Sequence, residues 1–426
     1  MVYNLNFQRI ASGDTLGASL VPFAVWLDGA VTLDRFSADI QQPRVLFWKD
    51  GHAYSIYPIA TALLITPLYA PAALVVSAGR WETGRIMVLA AILEKLAASL
   101  IAASSVACFY WLARRLVGRR RALVAALAYA FATETWTVSS QALWQHGASE
   151  LAVIASLCFL VRLWERPQRR GAMALAGLSC ALAVAFRSTN ILFLGAVLWA
   201  LIAGRRKLGE LAFFLSAPAA VGAALVAYNL SVFGKVAGWY PMAFDGSLPS
   251  GLAGLLLSPG RGLLVYTPIL LFSIVGLAMW LRSRTRGSGP PVYLVSALFS
   301  ISLLLVTGKW RLWWGGHCYG PRLLTDILPC LMILMLPALE LVSRAVLART
   351  LFVLALLWST FVQTVGAFCY PGSRWDETPV AVGDLPARLW DWKDSPLARS
   401  LSAGPRLGPD AAGFDQIRRV FRPGPD

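Results

Sequence analysis

The chain alternates between long apolar runs and short breaks that are charged or rich in proline and glycine. From residue 88 to residue 367, the runs reach or approach the roughly 20 residues that a helix needs to cross a bilayer. The pattern predicts about ten transmembrane helices, at residues 88–113, 122–139, 149–164, 172–187, 190–203, 209–229, 262–282, 290–308, 323–341 and 349–367. We therefore expect an all-α integral membrane protein, a polytopic helical bundle.

Composition and charge agree with this fold class. Apolar residues make up 57% of the chain and charged residues 14%, a balance unlike that of soluble domains. The net charge of +16 comes mostly from five short breaks. These breaks hold Arg114, Arg115, Arg119, Arg120 and Arg121; Arg162, Arg166, Arg169 and Arg170; Arg205, Arg206 and Lys207; Arg282, Arg284 and Arg286; and Arg344 and Arg349. By the positive-inside rule these loops are cytoplasmic, so the charge does not require a nucleic-acid partner.

The positions of the basic loops predict which segments face the other side. Two spans fit between each pair of neighbouring basic loops, which places residues 140–148, 186–190, 230–261 and 309–322 outside. The prediction divides the chain into a first outer loop at 1–85, a transmembrane bundle at 86–368 and an outer C-terminal tail at 369–426.

The beginning of the chain fits this topology poorly. Residues 1–55 are too polar to span, and no helix precedes them, so we expect that an upstream first helix is missing from this sequence. The apolar run 56–78 contains Pro58, Pro67 and Pro71, which are expected to break a helix. It is therefore predicted to lie in the outer interface as a juxtamembrane or re-entrant segment. The alternative is that this run spans the bilayer and residues 1–55 are cytoplasmic.

The outer segments carry carboxylates, cations and aromatic rings, whereas nucleotide-binding motifs are missing from the sequence. Neither a GxGxxG motif nor a Walker loop occurs, so a donor dissolved in the membrane fits better than a nucleotide-activated one. A carboxylate can deprotonate a hydroxyl acceptor while Arg or Lys stabilises a departing lipid phosphate. This set of side chains suits glycosyl transfer from a lipid phosphate to a hydroxyl.

Several motifs resemble those of the GT-C glycosyltransferases, a superfamily that includes protein O-mannosyltransferases and lipid A aminoarabinose transferases. Ser-Gly-Asp-Thr at 12–15 and Val-Thr-Leu-Asp at 31–34 look like the first outer loop of that superfamily. Ala-Leu-Trp-Gln-His-Gly at 142–147, Ser-Pro-Gly-Arg-Gly at 258–262 and Trp-Trp-Gly-Gly-His-Cys-Tyr-Gly-Pro-Arg at 313–322 resemble uncharacterised bacterial members. The resemblance implies a GT-C-like bundle with periplasmic juxtamembrane helices in the bacterial inner membrane.

By this resemblance the catalytic base is Asp14, with Asp34 as the second candidate acid. Asp14 could instead cap a helix that begins at Thr15, and Asp34, beside Arg35, could be a surface residue. Better-characterised members carry an acidic pair followed by Arg-Tyr, where this chain has Thr15, Gly17 and Ala18.

Four cations are candidates for binding the donor phosphate: Lys95, Arg187, Arg261 and Arg322. Lys95 lies at membrane depth beside Glu94, where ionisable residues are costly and are often functional. The two could also neutralise each other. The three arginines stand at predicted outer helix ends, where each could instead be an interfacial anchor.

The remaining candidates are predicted to line the substrate site: Gln145, His146, Tyr240, Trp314, His317 and Tyr319. The aromatic rings could stack on a sugar or form an interfacial belt. No metal site is predicted, although the resemblance leaves open a divalent cation held by His146, His317 and Asp14.

Together these features predict a glycosyltransferase that moves a sugar from a polyprenyl-phosphate donor to a hydroxyl acceptor at the periplasmic face. The expected partners are the lipid bilayer, the polyprenyl-phosphate-linked donor and a glycan, lipid or protein acceptor. Two alternatives remain open: a transporter or lipid flippase, in which charged residues inside helices are also normal, and a catalytically inactive GT-C scaffold.

Overall fold

A computed structural model describes residues 2–79, 81–166, 170–239, 243–283 and 291–406. The protein is helical, apart from one antiparallel hairpin formed by β1 (Leu46–Lys49) and β2 (His52–Ser55). The helices before the main bundle are α1 (Gly13–Asp28), the short α2 (Asp34–Ser37) and α3 (Ala60–Gly79).

The main bundle contains the following helices in chain order: α4 (Thr83–Val117), α5 (Arg119–Phe131), α6 (Gln145–Glu165), α7 (Arg170–Phe186), α8 (Ile191–Ala203), α9 (Leu208–Phe233), α10 (Leu248–Leu257), α11 (Leu263–Tyr266), α12 (Leu271–Ser283), α13 (Val292–Lys309), α14 (Leu328–Met335), α15 (Ala338–Arg344), α16 (Val346–Ser373) and α17 (Pro396–Ala403).

All ten predicted helical segments are mainly helical in the structure, but their number as full spans is not confirmed. Within the described residues, six helices are long and apolar enough to cross a membrane: α3, α4, α6, α9, α13 and α16. A seventh span results if the bent pair 322–335 and 338–344 is counted as one. Helices α7, α8, α10 and the segment 268–283 are apolar but shorter.

Helix α3 begins after Pro58 but is continuous through Pro67 and Pro71, so the expectation that these two prolines break a helix is wrong. Helix α1 packs along α3 and supports it, with the Phe23 ring 5.2 Å from the Tyr69 ring. Prolines are tolerated in apolar helices where neighbouring groups compensate for the missing backbone donor. Since α3 also has the length and hydropathy of a span, its placement in the outer interface stays a prediction.

Contacts between the basic loops bring most of them to one end of the bundle. Arg115, at the end of α4, forms a 2.6 Å ion pair with Glu165 at the end of α6. Arg206 donates to a carbonyl oxygen near the end of α6, and Arg121 donates to the Ser343 hydroxyl in α15. Four of the five basic groups therefore lie at the same end of the bundle. The remaining group, at Arg282, Arg284 and Arg286, lies partly outside the described residues.

The connection between α5 and α6 is buried and rich in polar contacts. A π-helix at Thr135–Ser139 follows α5, and the Glu150 carboxylate on α6 accepts hydrogen bonds from Tyr129, Thr135 and Ser139. Because buried polar groups are stable only when hydrogen-bonded, these contacts hold the connection in place. The segment 140–148 is thereby fixed at the beginning of α6.

A proline also explains the bend in the penultimate predicted span. The 3-10 helix Arg322–Ile327 continues into α14, and the axis then turns by 50° before α15. Pro337 lies at this break and lacks the backbone N–H that a continuous helix would need. Arg322 is the first residue of this bent segment.

Candidate active site

A cavity of about 280 Å³ lies among α1, the start of α6, α7, α9 and α13. It brings together residues that are far apart in the sequence. Its polar lining includes Asp14, Tyr57, Gln145, His146, Arg187, Asn229 and Arg322. Most of the remaining lining is apolar and comes from α7, α9, α13 and the segment after α9, and includes Val184, Leu225, Val226, Phe233, Val236, Trp239 and Val306.

The start of α1 places Asp14 in the cavity. Ser12 caps the helix, and its hydroxyl accepts a hydrogen bond from the Asp14 backbone N–H at 3.2 Å. Asp14 itself is therefore not the cap, and the alternative that it caps a helix beginning at Thr15 is wrong. A Cβ at Gly17 would lie 2.2 Å from the Ser55 hydroxyl oxygen, so only glycine allows α1 to pack this closely against β2.

Two donors hold the Asp14 carboxylate. The Tyr57 hydroxyl donates to Oδ1 at 2.6 Å, and Arg322 Nη1 donates to Oδ2 at 2.6 Å. Burial alone would raise the pKa of Asp14, but the Arg322 charge and the Tyr57 hydrogen bond outweigh it and hold that pKa below its usual range. The carboxylate is therefore ionised at neutral pH, with 24% of the side chain exposed.

Arg322 is fixed by contacts other than its ion pair with Asp14. Its guanidinium stacks 4.3 Å from the centre of the Trp144 ring, and Nη2 donates to the Gly315 carbonyl oxygen. Gly315 has a φ of +74°, a left-handed conformation that favours glycine. The motif at 313–322 thus builds a turn whose carbonyl group orients the arginine that ends the motif.

Arg187 provides a second cation at the cavity. It precedes the 3-10 turn Ser188–Asn190 and pairs with the wholly buried Asp326 carboxylate at 2.5 Å. Arg187 also donates to Nδ1 of His146. Nδ1 of His146 also lies 3.4 Å from Oδ2 of Asp326, so the histidine contacts both members of this ion pair.

Asp34 does not reach the cavity. Its Oδ1 accepts the Ala53 backbone N–H at 2.7 Å, and its Oδ2 lies 2.7 Å from His52 Nδ1 and accepts a hydrogen bond from Thr32. These contacts connect the start of α2 to β2 and leave 41% of the side chain exposed. Its position supports the surface alternative.

Lys95 and its neighbour Glu94 are also engaged away from the cavity lining. Lys95 is buried and donates to the Gln141 side-chain oxygen. Glu94 pairs with Arg9 at 2.6 Å and accepts the Leu143 backbone N–H at 3.2 Å. The alternative of mutual neutralisation by Glu94 and Lys95 is therefore wrong, and the position of Lys95 does not support contact with a donor in this cavity.

Arg261 differs from the other two arginines because it is wholly buried and its contacts are structural. It donates to the carbonyl oxygens of Trp314 at 3.1 Å and Gly316 at 2.9 Å and pairs with Asp376 at 2.5 Å. These contacts join the 313–322 loop to the C-terminal segment. Arg261 does not line the cavity, so its predicted contact with the donor phosphate has no support from its position.

Only some of the residues predicted to line the substrate site reach the cavity. Gln145 and His146 reach the cavity, whereas Trp314, His317 and Tyr319 do not. His317 is exposed, and the buried Tyr319 hydroxyl donates to the Val362 carbonyl oxygen at 2.9 Å. Tyr240 lies outside the described residues. In the part of the chain that the structure describes, no three His, Cys, Asp or Glu side chains are grouped so as to hold a metal ion.

Three residues that shape this site are not among the candidates predicted from the sequence: Tyr57, Trp144 and Asp326. Trp144 immediately precedes Gln145 in the 142–147 motif, and Asp326 follows shortly after Arg322, the last residue of the 313–322 motif. Both positions offered a signal. Nothing local marked Tyr57, whose role depends on the hairpin that carries it towards α1.

Comparisons with known proteins agree with the architecture. The family model for dolichyl-phosphate-mannose-protein mannosyltransferase matches residues 86–231. No curated protein matches the chain in sequence.

Among solved structures, apo ArnT from Cupriavidus metallidurans is 14% identical, with a TM-score of 0.53 over 97% of this chain and 88% of ArnT. ArnT bound to undecaprenyl phosphate has a TM-score of 0.50 at 14% identity, over 98% of this chain and 75% of that one. The Archaeoglobus fulgidus oligosaccharyltransferase has a TM-score of 0.51 at 13% identity, over 98% of this chain and 61% of that one. The chain therefore shares the fold of these two membrane proteins, the GT-C fold that the sequence predicts.

Proposed function

We propose that the protein is a glycosyltransferase that moves a sugar from a polyprenyl-phosphate donor to a hydroxyl acceptor. The main support for this proposal is that an ionised carboxylate, Asp14, lies together with two arginines at a largely apolar cavity. Glycosyl transfer from a lipid phosphate needs a base for the acceptor and cations for the leaving group. Arg187 and Arg322 are the cations in this cavity.

In the proposed reaction the acceptor oxygen attacks the anomeric carbon of the donor sugar. The bond between that carbon and the phosphate oxygen breaks, and the phosphate retains the electron pair. Asp14 takes the proton of the acceptor hydroxyl, and Arg322 and Arg187 stabilise the charge on the released polyprenyl phosphate. One displacement of this kind inverts the configuration at the anomeric carbon.

The apolar lining suits the polyprenyl chain. Only 6% of the most apolar stretch of α9 is buried in the protein, so its side chains are available to lipid. Leu225 and Val226 of the same helix line the cavity. A donor that diffuses in the bilayer could therefore place its phosphate near the arginines while its tail stays among apolar groups. ArnT, which shares the fold, has been crystallised with undecaprenyl phosphate.

The proposed location is the periplasmic face of a bacterial inner membrane. The clustering of basic loops at one end of the bundle supports a cytoplasmic position for that end under the positive-inside rule. Asp14, Arg187 and Arg322 lie in segments that the same topology assigns to the opposite face. The acceptor is proposed only as a hydroxyl compound on that face.

The function can be tested with purified protein in liposomes that contain polyprenyl-phosphate-linked sugars extracted from cells. We expect mass spectrometry to detect free polyprenyl phosphate when a periplasmic extract supplies acceptors. Asp14→Asn should form it at least about 100-fold more slowly, whereas Asp28→Asn, a matched change at the other end of α1, should form the wild-type amount. Donor that crosses the bilayer without losing its sugar would support a flippase instead.

A further inference from the structure

The two cations at the cavity are each matched by a carboxylate, but the two ion pairs differ in exposure. Asp14 is 24% exposed and lines the cavity beside Arg322. Asp326 is fully buried behind Arg187. A buried carboxylate that loses its cation is strongly destabilised, so the Arg187 pair is fixed. The Asp14 side chain can instead be solvated or contact a ligand if its cation is taken by another anion.

Each member of the Asp14–Arg322 pair has further contacts that would keep it at the cavity if the pair separated. Arg322 stays in place through the Trp144 ring and the Gly315 carbonyl group. Asp14 stays in place through the Tyr57 hydroxyl and the capped start of α1. Separation of the pair would therefore leave a preorganised cation and a preorganised carboxylate that face the same cavity.

We propose that the donor phosphate and Asp14 compete for Arg322, so that donor binding frees Asp14 to act as the base. This inference rests on the proposed function and adds an order of events to it. Paired with Arg322 and Tyr57, the Asp14 anion is stabilised and is a weak base. A phosphate that pairs with Arg322 removes the interaction of Arg322 with Asp14, which is the larger of the two that stabilise the Asp14 anion. The acceptor hydroxyl is then activated only when the donor is bound.

If the phosphate and Asp14 compete for Arg322, a substitution at Asp14 should change phosphate affinity in a defined direction, and this can be measured without catalysis. The probe is a short-chain polyprenyl phosphate, and its affinity is measured on purified protein in nanodiscs. Asp14→Asn should bind this phosphate about tenfold more tightly than wild type, because a charge-assisted hydrogen bond no longer has to be exchanged. Arg322→Gln should bind it more weakly.

A double-mutant cycle separates competition for Arg322 from simple loss of a negative charge. In the Arg322→Gln background, Asp14→Asn should no longer tighten binding. Asp28→Asn, with the same change of charge on the same helix, should match wild type. Arg322→Lys replaces Arg322→Gln in the cycle if melting in detergent shows that the glutamine variant is unfolded, and the gain from Asp14→Asn should then be reduced.

Two results would overturn the competition. The first is an Asp14→Asn variant that binds the phosphate no better than wild type. The second is an equal gain in both backgrounds, which would show a general charge effect. Either result, with wild-type binding intact, leaves the proposed glycosyltransferase function standing. A folded wild-type protein with no affinity for polyprenyl phosphate would instead overturn both proposals.

Discussion

Replacing Asp14 by asparagine tests the proposed base with the least structural disturbance. The amide keeps the size of the carboxylate and can still accept a hydrogen bond from Tyr57, but it cannot serve as a general base at neutral pH. The helix start should persist, because Ser12 rather than Asp14 caps α1. We expect glycosyl transfer to fall about 10²- to 10⁴-fold, which corresponds to roughly 3–5 kcal/mol of activation free energy.

The expected loss of folding free energy is smaller than the expected rise in activation free energy. The variant removes one charge-assisted hydrogen bond between Asp14 and Arg322, and such a bond contributes about 2 kcal/mol. Arg322 keeps its contacts with Trp144 and Gly315, so the site should stay assembled. Most molecules should therefore remain folded while transfer is nearly abolished.

The assay is the release of polyprenyl phosphate from a donor in liposomes, normalised to folded protein by melting in detergent. Asp28→Asn is the matched control, since Asp28 lies at the far end of α1 and pairs with the exposed Arg35. Transfer by Asp14→Asn within a few-fold of the wild-type rate would refute the assignment. Asp34→Asn, although its carboxylate lies outside the cavity, would then be the next variant to measure.

Three further predictions follow from the same structure. Tyr57→Phe should move the acid limb of the kcat/KM profile to higher pH, because loss of the Tyr57 hydrogen bond raises the lowered pKa of Asp14, below which its base form disappears. Arg322 and His146 still face Asp14 in this variant, and an acid limb that does not move would contradict the prediction. Arg261→Lys should lower the melting temperature yet leave the affinity for polyprenyl phosphate unchanged, since the contacts of Arg261 are structural. Weaker phosphate binding by this variant would indicate that Arg261 does contact the donor. In a cysteine-free background, a cysteine at residue 118 should be shielded from an impermeant thiol reagent in intact cells and one at residue 250 should label; reversed labelling would invert the topology.

The amino-acid sequence alone located the ten apolar segments between residues 88 and 367 that are mainly helical, for a reason specific to membranes. Hydrocarbon offers no partners for backbone groups, so long apolar runs form helices whatever their neighbours are. The expectation for Pro67 and Pro71 failed at a place where α3 packs against α1, with the Phe23 ring against Tyr69 and the Trp26 indole donating to the Thr66 carbonyl oxygen. The number of true spans depends on tilt and depth, which apolar length does not specify.

Only the tertiary structure decided which charged residues share the cavity. Arg187, Arg261 and Arg322 occupy similar positions in the sequence, yet their exposed side-chain fractions are 14%, 0% and 6%, and only the first and last line the cavity. The pairing of Asp14 with Arg322 spans 308 positions. The sequence identifies these side chains as chemically able to bind phosphate or accept a proton. Which partner each one meets is set by long-range packing, because the energy of a buried charge depends on the groups that surround it.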